Sequence, residues 1–401
     1  MKLSLGFLLV FATGLHLTSA ELSNDGKNLV KENTAFAVDL YQKLSPQEGN
    51  LFFSPYSLSV ALAMTYGGAR GDTESQMART LHLSLLSQIS TPAFSEIDAS
   101  LAELQKEGNV TLGLANSIWP SNDFKMLDTY SALLKTSYGT TVTSVDYKKT
   151  EEARTLINRW VESKTQNKIK NLIRPNDLSL YTRLVLVNAI YFKGNWVQAF
   201  DPAKTHPEDF HVSPNVTVIA PMMELKSEFA YAESDTLQAL ELPYQGDALS
   251  MLVLLPKPSV PISAVEAQIS VEKLAEWKAA LARKQVNVLL PKFSLTWGTI
   301  KLNDTLKTMG MIDAFELSKA NFSGMSGNSR GLAVGAVLHK AFVEVNEEGT
   351  EAAAATAGAV VAAIHEASVP VFKADRPFLF LIQDKRTGTL LFMGRVTNPV
   401  P

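Results

Sequence analysis

The residues that could perform covalent chemistry are few. Six histidines stand at 16, 82, 206, 211, 339 and 365, and there is no cysteine in the 401 residues. That removes a thiol nucleophile, a disulfide redox centre and thiolate metal sites together. A serine nucleophile on a sharp strand-to-helix turn needs the spacing Gly-X-Ser-X-Gly, and the nearest approach, Gly324-Met325-Ser326-Gly327, lacks it. His365-Glu366 is followed by Ala367-Ser368-Val369, so no zinc-binding His-Glu-X-X-His is formed. His206 and His211 lie near one another in a Pro-flanked polar stretch, where solvated rings are the ordinary outcome; no metal site is expected. No glycine loop of the phosphate-cradling kind occurs, and no cofactor is expected. What the chain carries instead is a segment suited to changing its backbone pairing. Asn346-Glu347-Glu348-Gly349-Thr350-Glu351-Ala352-Ala353-Ala354-Ala355-Thr356-Ala357-Gly358 runs on through Ala359 to Ile364 with almost no charge. Ala and Glu favour helix, but a core helix would carry larger side chains and an exposed helix more polar ones. Small residues can lie in solvent as a loop and later enter a sheet without steric cost. The segment reads as a switch.

A switch needs a frame to act on. At 46% hydrophobic and 19% charged the composition is that of a globular protein able to bury a large core. No linker, charge block or repeat marks a boundary, so residues 21–401 read as one domain. Net charge is -3, and the basic residues are scattered, which gives no footprint for nucleic acid and no support for a heparin face. Helical spacing of apolar residues is found at 29–44, 57–66, 73–81, 151–167 and 270–283. Strand-like runs are at 184–192, 239–242, 251–255, 286–290, 340–345, 377–383 and 389–395. Helices and strands are interspersed without strict alternation, which argues for an α+β fold with largely antiparallel sheets.

The first residues predict a secretory leader. Lys2 gives a positive start, Leu3 to Leu17 is mostly apolar, and Thr18-Ser19-Ala20 supplies small residues for cleavage after Ala20. The apolar stretch falls short of the roughly 20 residues that span a bilayer, so a secreted, extracellular protein with no membrane partner is expected. Asn-X-Ser/Thr sequons stand at Asn109, Asn215, Asn303 and Asn321, of which some are expected to carry glycan.

Five blocks then carry a resemblance: Asn50-Leu51-Phe52-Phe53-Ser54-Pro55-Tyr56-Ser57, Leu186 to Trp196, Leu290-Pro291-Lys292-Phe293, Phe342 to Ala354, and Arg376 to Phe380 with Gly394-Arg395-Val396. In order and spacing they resemble a serpin, a member of the serine-protease-inhibitor superfamily, over essentially the whole of 21–401. The resemblance implies three mainly antiparallel β-sheets surrounded by helices, with an exposed reactive centre loop over about 347–372. It implies a monomer whose partner is a target serine protease: cleavage of the loop lets its first part enter the central sheet as a strand and trap the acyl-enzyme. Serpin loop insertion is an established case of strand addition and of stored-strain release.

Can this loop insert? Alternate strand residues face opposite sides, so Thr350, Ala352, Ala354, Thr356, Gly358 and Val360 would share one face. All are small or β-branched, and none is charged. Glu351 falls on the other face. By the family's usual loop length from Gly349, the reactive bond is Ala363–Ile364, with Val360, Val361 and Ala362 setting specificity upstream; Val361, Ala362 and Ile364 stay open as alternative bait positions. Small apolar residues suit elastase-like and some subtilisin-like proteases. No Lys or Arg stands between Gly349 and Phe372, which disfavours trypsin-like ones. Further positions follow from the resemblance: a hinge over Gly349, Thr350, Glu351, Ala352, Ala353, Ala354 and Ala355; a shutter of Ser54, Ser57, Asn188 and His339 beneath the central sheet; and a breach of Trp196, Lys292 and Glu347 at its top. Read without the resemblance, His339 is a satisfied core histidine; Lys292 and Glu347 match, by the resemblance, a pair at the top of the sheet, and a surface ion pair there would tune opening rather than hold the fold. The competing functions are a non-inhibitory serpin acting as carrier or chaperone, against which the hinge argues, and a secreted hydrolase, for which no triad is found.

Overall fold

The computed structural model describes residues 21–84, 87–106, 108, 110–140, 142–350 and 369–400. Fourteen strands are paired among them: β1 (Leu51–Phe53), β2 (Val110–Pro120), β3 (Leu184–Asn195), β4 (His206–Ser213), β5 (Val216–Glu233), β6 (Leu237–Pro243), β7 (Leu249–Pro256), β8 (Ala282–Pro291), β9 (Phe293–Lys301), β10 (Ala336–Val345), β11 (Gly349–Thr350), β12 (Val371–Lys373), β13 (Phe378–Asp384) and β14 (Leu390–Val396). They form two hydrogen-bonded networks. The nine-stranded one contains two sheets that share β5. Residues 216–231 of that long strand pair with β4 and β8, and β8 with β12, whereas its last residues, 230–233, pair with β6 and so lead on to β7, β13, β14 and β1. The other network is the central sheet, with β2, β3, β10 and β9 side by side and β11 at the end of β3. Only β3/β10 and β8/β12 pair in parallel among these strands.

Period-two alternation fixes the faces of the central sheet. Val185, Val187 and Ala189 of β3, with Ala336 and Leu338 of β10, join a cluster under the helix Thr150–Lys164 and residues 169–178. Leu184, Leu186, Ile190 and Phe192, with Val337, Ala341, Val343 and Val345, face the main core. Behind that face runs the helix Pro55–Tyr66, buried along its whole length and capped by Ser54, whose hydroxyl accepts from Ser57 N–H. Pro55 at its first turn lacks an N–H that would go unpaired there anyway.

Several expected boundaries move. The first helix starts at Asn24 because Ser23 caps it, accepting from Gly26 N–H; its polar first turn has no apolar signature. The helix expected over 151–167 ends at Lys164, and Gln166 and Asn167 take left-handed φ of 50° and 61°. The helix expected to reach 283 is Val271–Ala279, and Ala282 already belongs to β8. The helices Ser87–Lys106 and Asp128–Tyr138 and the strands β2, β4, β5 and β9 carry no sequence expectation. Pro92 lies inside the first of these helices and Pro221 inside β5, and each reads as a breaker.

Candidate functional site

The centre of the site is the seam between β3 and β10. Their parallel register runs from Ala336 opposite Val185 to Phe342 opposite Tyr191. Halfway along, His339 is the register partner of Asn188, and Asn188 that of Asn116 in β2. Three polar side chains therefore form one rung across three strands on the face turned to the helix Pro55–Tyr66. His339 Nδ1–H donates to Asn188 Oδ1, and its Nε2 accepts from Ser54 N–H at 3.4 Å. Asn188 Nδ2 donates to Ser57 Oγ and Asn116 Oδ1, and Ser57 Oγ donates to Asn116 Oδ1 at 3.0 Å. Ser54 Oγ donates to Leu391 O at 2.6 Å, tying the rung to β14.

His339 and Asn188 are both fully buried, so water cannot satisfy them and each depends on these bonds. Burial pushes the imidazole down to about 3. It is neutral, with one nitrogen donating and the other accepting. His339 is thus a satisfied core histidine, and its two bonds tie β10 to Asn188 of β3 and to the Ser54 backbone. Asn116 completes the rung and lies outside the residues the sequence singled out. Its only sequence mark is a polar residue at a core-facing position of an alternating run.

At the top of β3 the seam ends and a second site begins. The Asn346 side chain accepts from Glu348 and Gly349 N–H, turning the chain back from β10. Gly349 and Thr350 then pair antiparallel with Asn195 and Gly194. Only glycine fits at 349: its φ is +150°, and a Cβ would meet Gly194 O at 2.2 Å. Thr350 is fully buried, and its hydroxyl lies 3.1 Å from that of Tyr244. Burial raises the Tyr244 hydroxyl well above its ordinary value, so it stays protonated. Trp196 stacks on Tyr244 at 4.6 Å and donates its indole N–H to Asn346 O. Backbone bonds from Trp196 to Glu348 O and from Phe200 to Glu347 O fasten the segment further.

Here two expectations are corrected. The loop expected to be exposed from Glu347 to Phe372 is buried at both ends. Glu347 is 8% exposed, Thr350 lies in the central sheet, and Phe372, in β12, is fully covered. A two-residue strand forms at Gly349–Thr350 because β3 outruns its pairing with β10 and leaves backbone groups there to satisfy. The Glu347–Lys292 pair is covered on its acidic side, while the Lys292 side chain stays 38% exposed. The carboxylate is 11% exposed, bonded to Lys292 Nζ at 2.8 Å and to the Thr205 hydroxyl at 2.8 Å. Burial alone would raise this carboxyl, but the bonds from Lys292 and Thr205 outweigh it and hold the group below the ordinary carboxylate range.

The remaining expected sites divide. Glu351, Ala352, Ala353, Ala354, Ala355, Val360, Val361, Ala362, Ala363 and Ile364 lie outside the described residues, as do Asn109 and the leader. Asn215 is exposed at the tip of the β4/β5 hairpin. Asn303 uses its side chain in bonds to Gly335 O and Val337 N–H, and Asn321 accepts from Ser323 N–H. His206 is bonded to Glu208 and His211 to Thr217, so the ring pair is not brought together. Among the described residues no group of acidic and histidine side chains could hold a metal ion, and no helix is long and apolar enough to cross a membrane.

The arrangement is a β-sheet whose central seam carries one polar rung and whose upper end pairs the two-residue strand β11 with β3. The family model described as Serpin (serine protease inhibitor) matches residues 31–399. Human leukocyte elastase inhibitor is 40% identical over 385 residues, covering 93% of this chain and 100% of that protein. Among solved structures, mouse protein-Z dependent protease inhibitor superposes with a TM-score of 0.85 at 30% identity, over 94% of this chain and 98% of that one. Human thyroxine-binding globulin superposes equally well, with a TM-score of 0.85 at 31% identity over 94% and 100%. With the family match spanning almost the whole sequence and a 40% identical relative covered along its full length, this chain belongs to the serpin family.

Proposed function

We propose that this serpin is a secreted suicide-substrate inhibitor of serine proteases that accept small apolar residues, cleaved at Ala363–Ile364 and acting by insertion of its own loop. One observation carries the reading: β11 is antiparallel to β3 at the mouth of the closed seam, the orientation a strand entering between β3 and β10 must have. Continuing that register sets residues 351, 352 and 353 opposite Lys193, Phe192 and Tyr191, and the residues that follow are small. Each inserted residue would add backbone bonds at roughly 1 kcal/mol net, with no side chain to clash. The similarity to human leukocyte elastase inhibitor favours the same protease class. The exposed hairpin tip at Asn215 is the sequon best placed to carry glycan in a secreted protein.

The test is incubation of the secreted protein with an elastase, a chymotrypsin-like protease, trypsin and a subtilisin. A complex that survives denaturing gels, with a released peptide whose mass begins at Ile364, is the expected result. Cleavage by all four without a complex would instead indicate a non-inhibitory carrier or chaperone, and would overturn the proposal.

A further inference from the structure

Outside the seam, on the face away from the polar rung, lies a cover held in a constrained shape. After the helix Thr150–Lys164, the residues Gln166, Asn167 and Asn171 take φ of 50°, 61° and 51°, a region that side chains with a Cβ enter at a cost. The segment is pinned at several points. Ile169, Leu172 and Ile173 are fully buried, Asn158 bonds both the N–H and the C=O of Ile173, and Lys340 Nζ donates to Lys170 O at 2.7 Å. Between these pins stands Lys168. Its ammonium is 5.8 Å from the ring centroid of Tyr191 and 5.9 Å from that of Phe342. The two rings are 6.0 Å apart, one on each side of the seam, and they form the last rung of the parallel register.

We propose that Lys168 is a clasp on the first closed rung of the seam, a positioning residue that sets how fast the loop enters. The inference rests on the insertion reading above. The hinge already fills β3 at Gly194 and Asn195, so the rung at Tyr191 and Phe342 is the next one along β10 that insertion must part. A new strand moves β3 and β10 apart by one inter-strand spacing, about 4.8 Å. It also sets the side chain of residue 353 into the row between the rings, where the ammonium now stands. At its present height above the sheet the cation would then be about 7 Å from each ring, beyond the roughly 6 Å reach of a cation–π contact. The contact exists only while the seam is closed, so it opposes opening.

A synthetic peptide of the sequence 350–361, added to the intact protein, tests this without any protease; its uptake is followed on native gels and by the rise in melting temperature. Lys168→Met is expected to speed uptake about fivefold, the equivalent of roughly 1 kcal/mol at 1.4 kcal/mol per factor of ten. Lys168→Arg, which keeps the cation, should stay within about twofold of the parent. In a Phe342→Leu background the Lys168→Met effect should shrink, because one ring is gone. Two results overturn the clasp alone: unchanged uptake by Lys168→Met when the parent takes up peptide, or equal acceleration with and without the Phe342 ring, which is what loss of mere packing gives. A parent that never takes up the peptide overturns the insertion reading and the clasp with it.

Discussion

Thr350→Arg tests the hinge where the structure gives the most to calculate with. Thr350 is held by backbone pairing with Gly194 and by a hydroxyl contact with Tyr244. With the Gly349 rung this amounts to a few bonds of about 1 kcal/mol each, roughly 3 kcal/mol. An arginine would bring a guanidinium into the fully buried place of the threonine side chain, at an effective cost of several kcal/mol for an unpaired charge. The hinge therefore leaves the sheet and the rest of the protein stays folded. Trp196 reports this directly, because it stacks on the tyrosine that Thr350 touches, so its emission should shift in the variant before any protease is added.

Under the proposed mechanism the same charge must then re-enter the sheet as the first step of trapping. A net penalty of about 3 kcal/mol slows that step about a hundredfold at 1.4 kcal/mol per factor of ten, whereas hydrolysis of the acyl-enzyme is untouched. The protease wins the race, and the inhibitor becomes a substrate. The assay is the number of inhibitor molecules consumed per elastase molecule inactivated, with the gel ratio of cleaved chain to complex. Thr350→Ser, which keeps size and hydroxyl, should match the parent. An arginine variant that inhibits within about twofold of the parent's stoichiometry would refute both the burial argument and insertion.

The other predictions are as follows. His339 is held near 3 in the folded protein against about 6.5 unfolded, so the unfolded chain takes up the proton. The stability involved is present in full above pH 6.5 and lost as pH falls toward 3, about 2 kcal/mol by pH 5. Asp98, raised by burial to about 6, works in the opposite direction over the same range. The measurement is therefore the difference between the parent and His339→Gln in urea midpoint across pH 4.5 to 7.5, and parallel curves would contradict the assignment. Glu347→Lys exchanges two charge-assisted bonds for repulsion with Lys292, at roughly 2 to 3 kcal/mol. It should lower monomer yield and raise polymer content on warming; no change in either would show that this pair does not guard the breach. Under the proposed secretion, Asn215→Gln should remove one glycan's mass from the protein, and an unchanged mass would exclude that site.

How legible was this in the sequence? Long amphipathic elements were, because their core faces repeat: Phe36, Leu40 and Leu44 mark one helix and the run from Leu184 to Phe192 the seam strand. Elements interrupted by proline were not, since Pro92 and Pro221 are tolerated here by tertiary packing that no local window contains. Of the polar rung and its partners, Ser54, Ser57, Asn188 and His339 were reached through the resemblance, but Asn116 was not, because the rung is defined by register across three strands and register is not written in any one of them. The burial of Thr350 and Glu347 escaped for a related reason. Their neighbours Tyr244 and Thr205 lie more than a hundred residues away, and the run of small residues after Gly349 does not say that Gly349 and Thr350 pair with β3.

The polar rung also bears on the barrier to the sheet opening proposed above. On its core-facing side β3 reads Leu184, Leu186, Asn188, Ile190 and Phe192, and β10 reads Val337, His339, Ala341, Val343 and Val345. Apolar residues at 188 and 339 would give a continuous greasy seam, and a buried polar pair is often no more stable than such a replacement. What the pair changes is the kind of barrier. Packed methyl groups lose contact gradually as two strands part, whereas His339 and Asn188 lose their bond at once and leave two buried groups unsatisfied, a cost of about 1 to 3 kcal/mol each. The penalty is concentrated in the moment of opening and disappears once an arriving strand or the serine hydroxyls offer new partners. A seam built this way resists spontaneous opening without deepening the closed state, which is the combination a sheet needs if it must wait in one arrangement and later accept another.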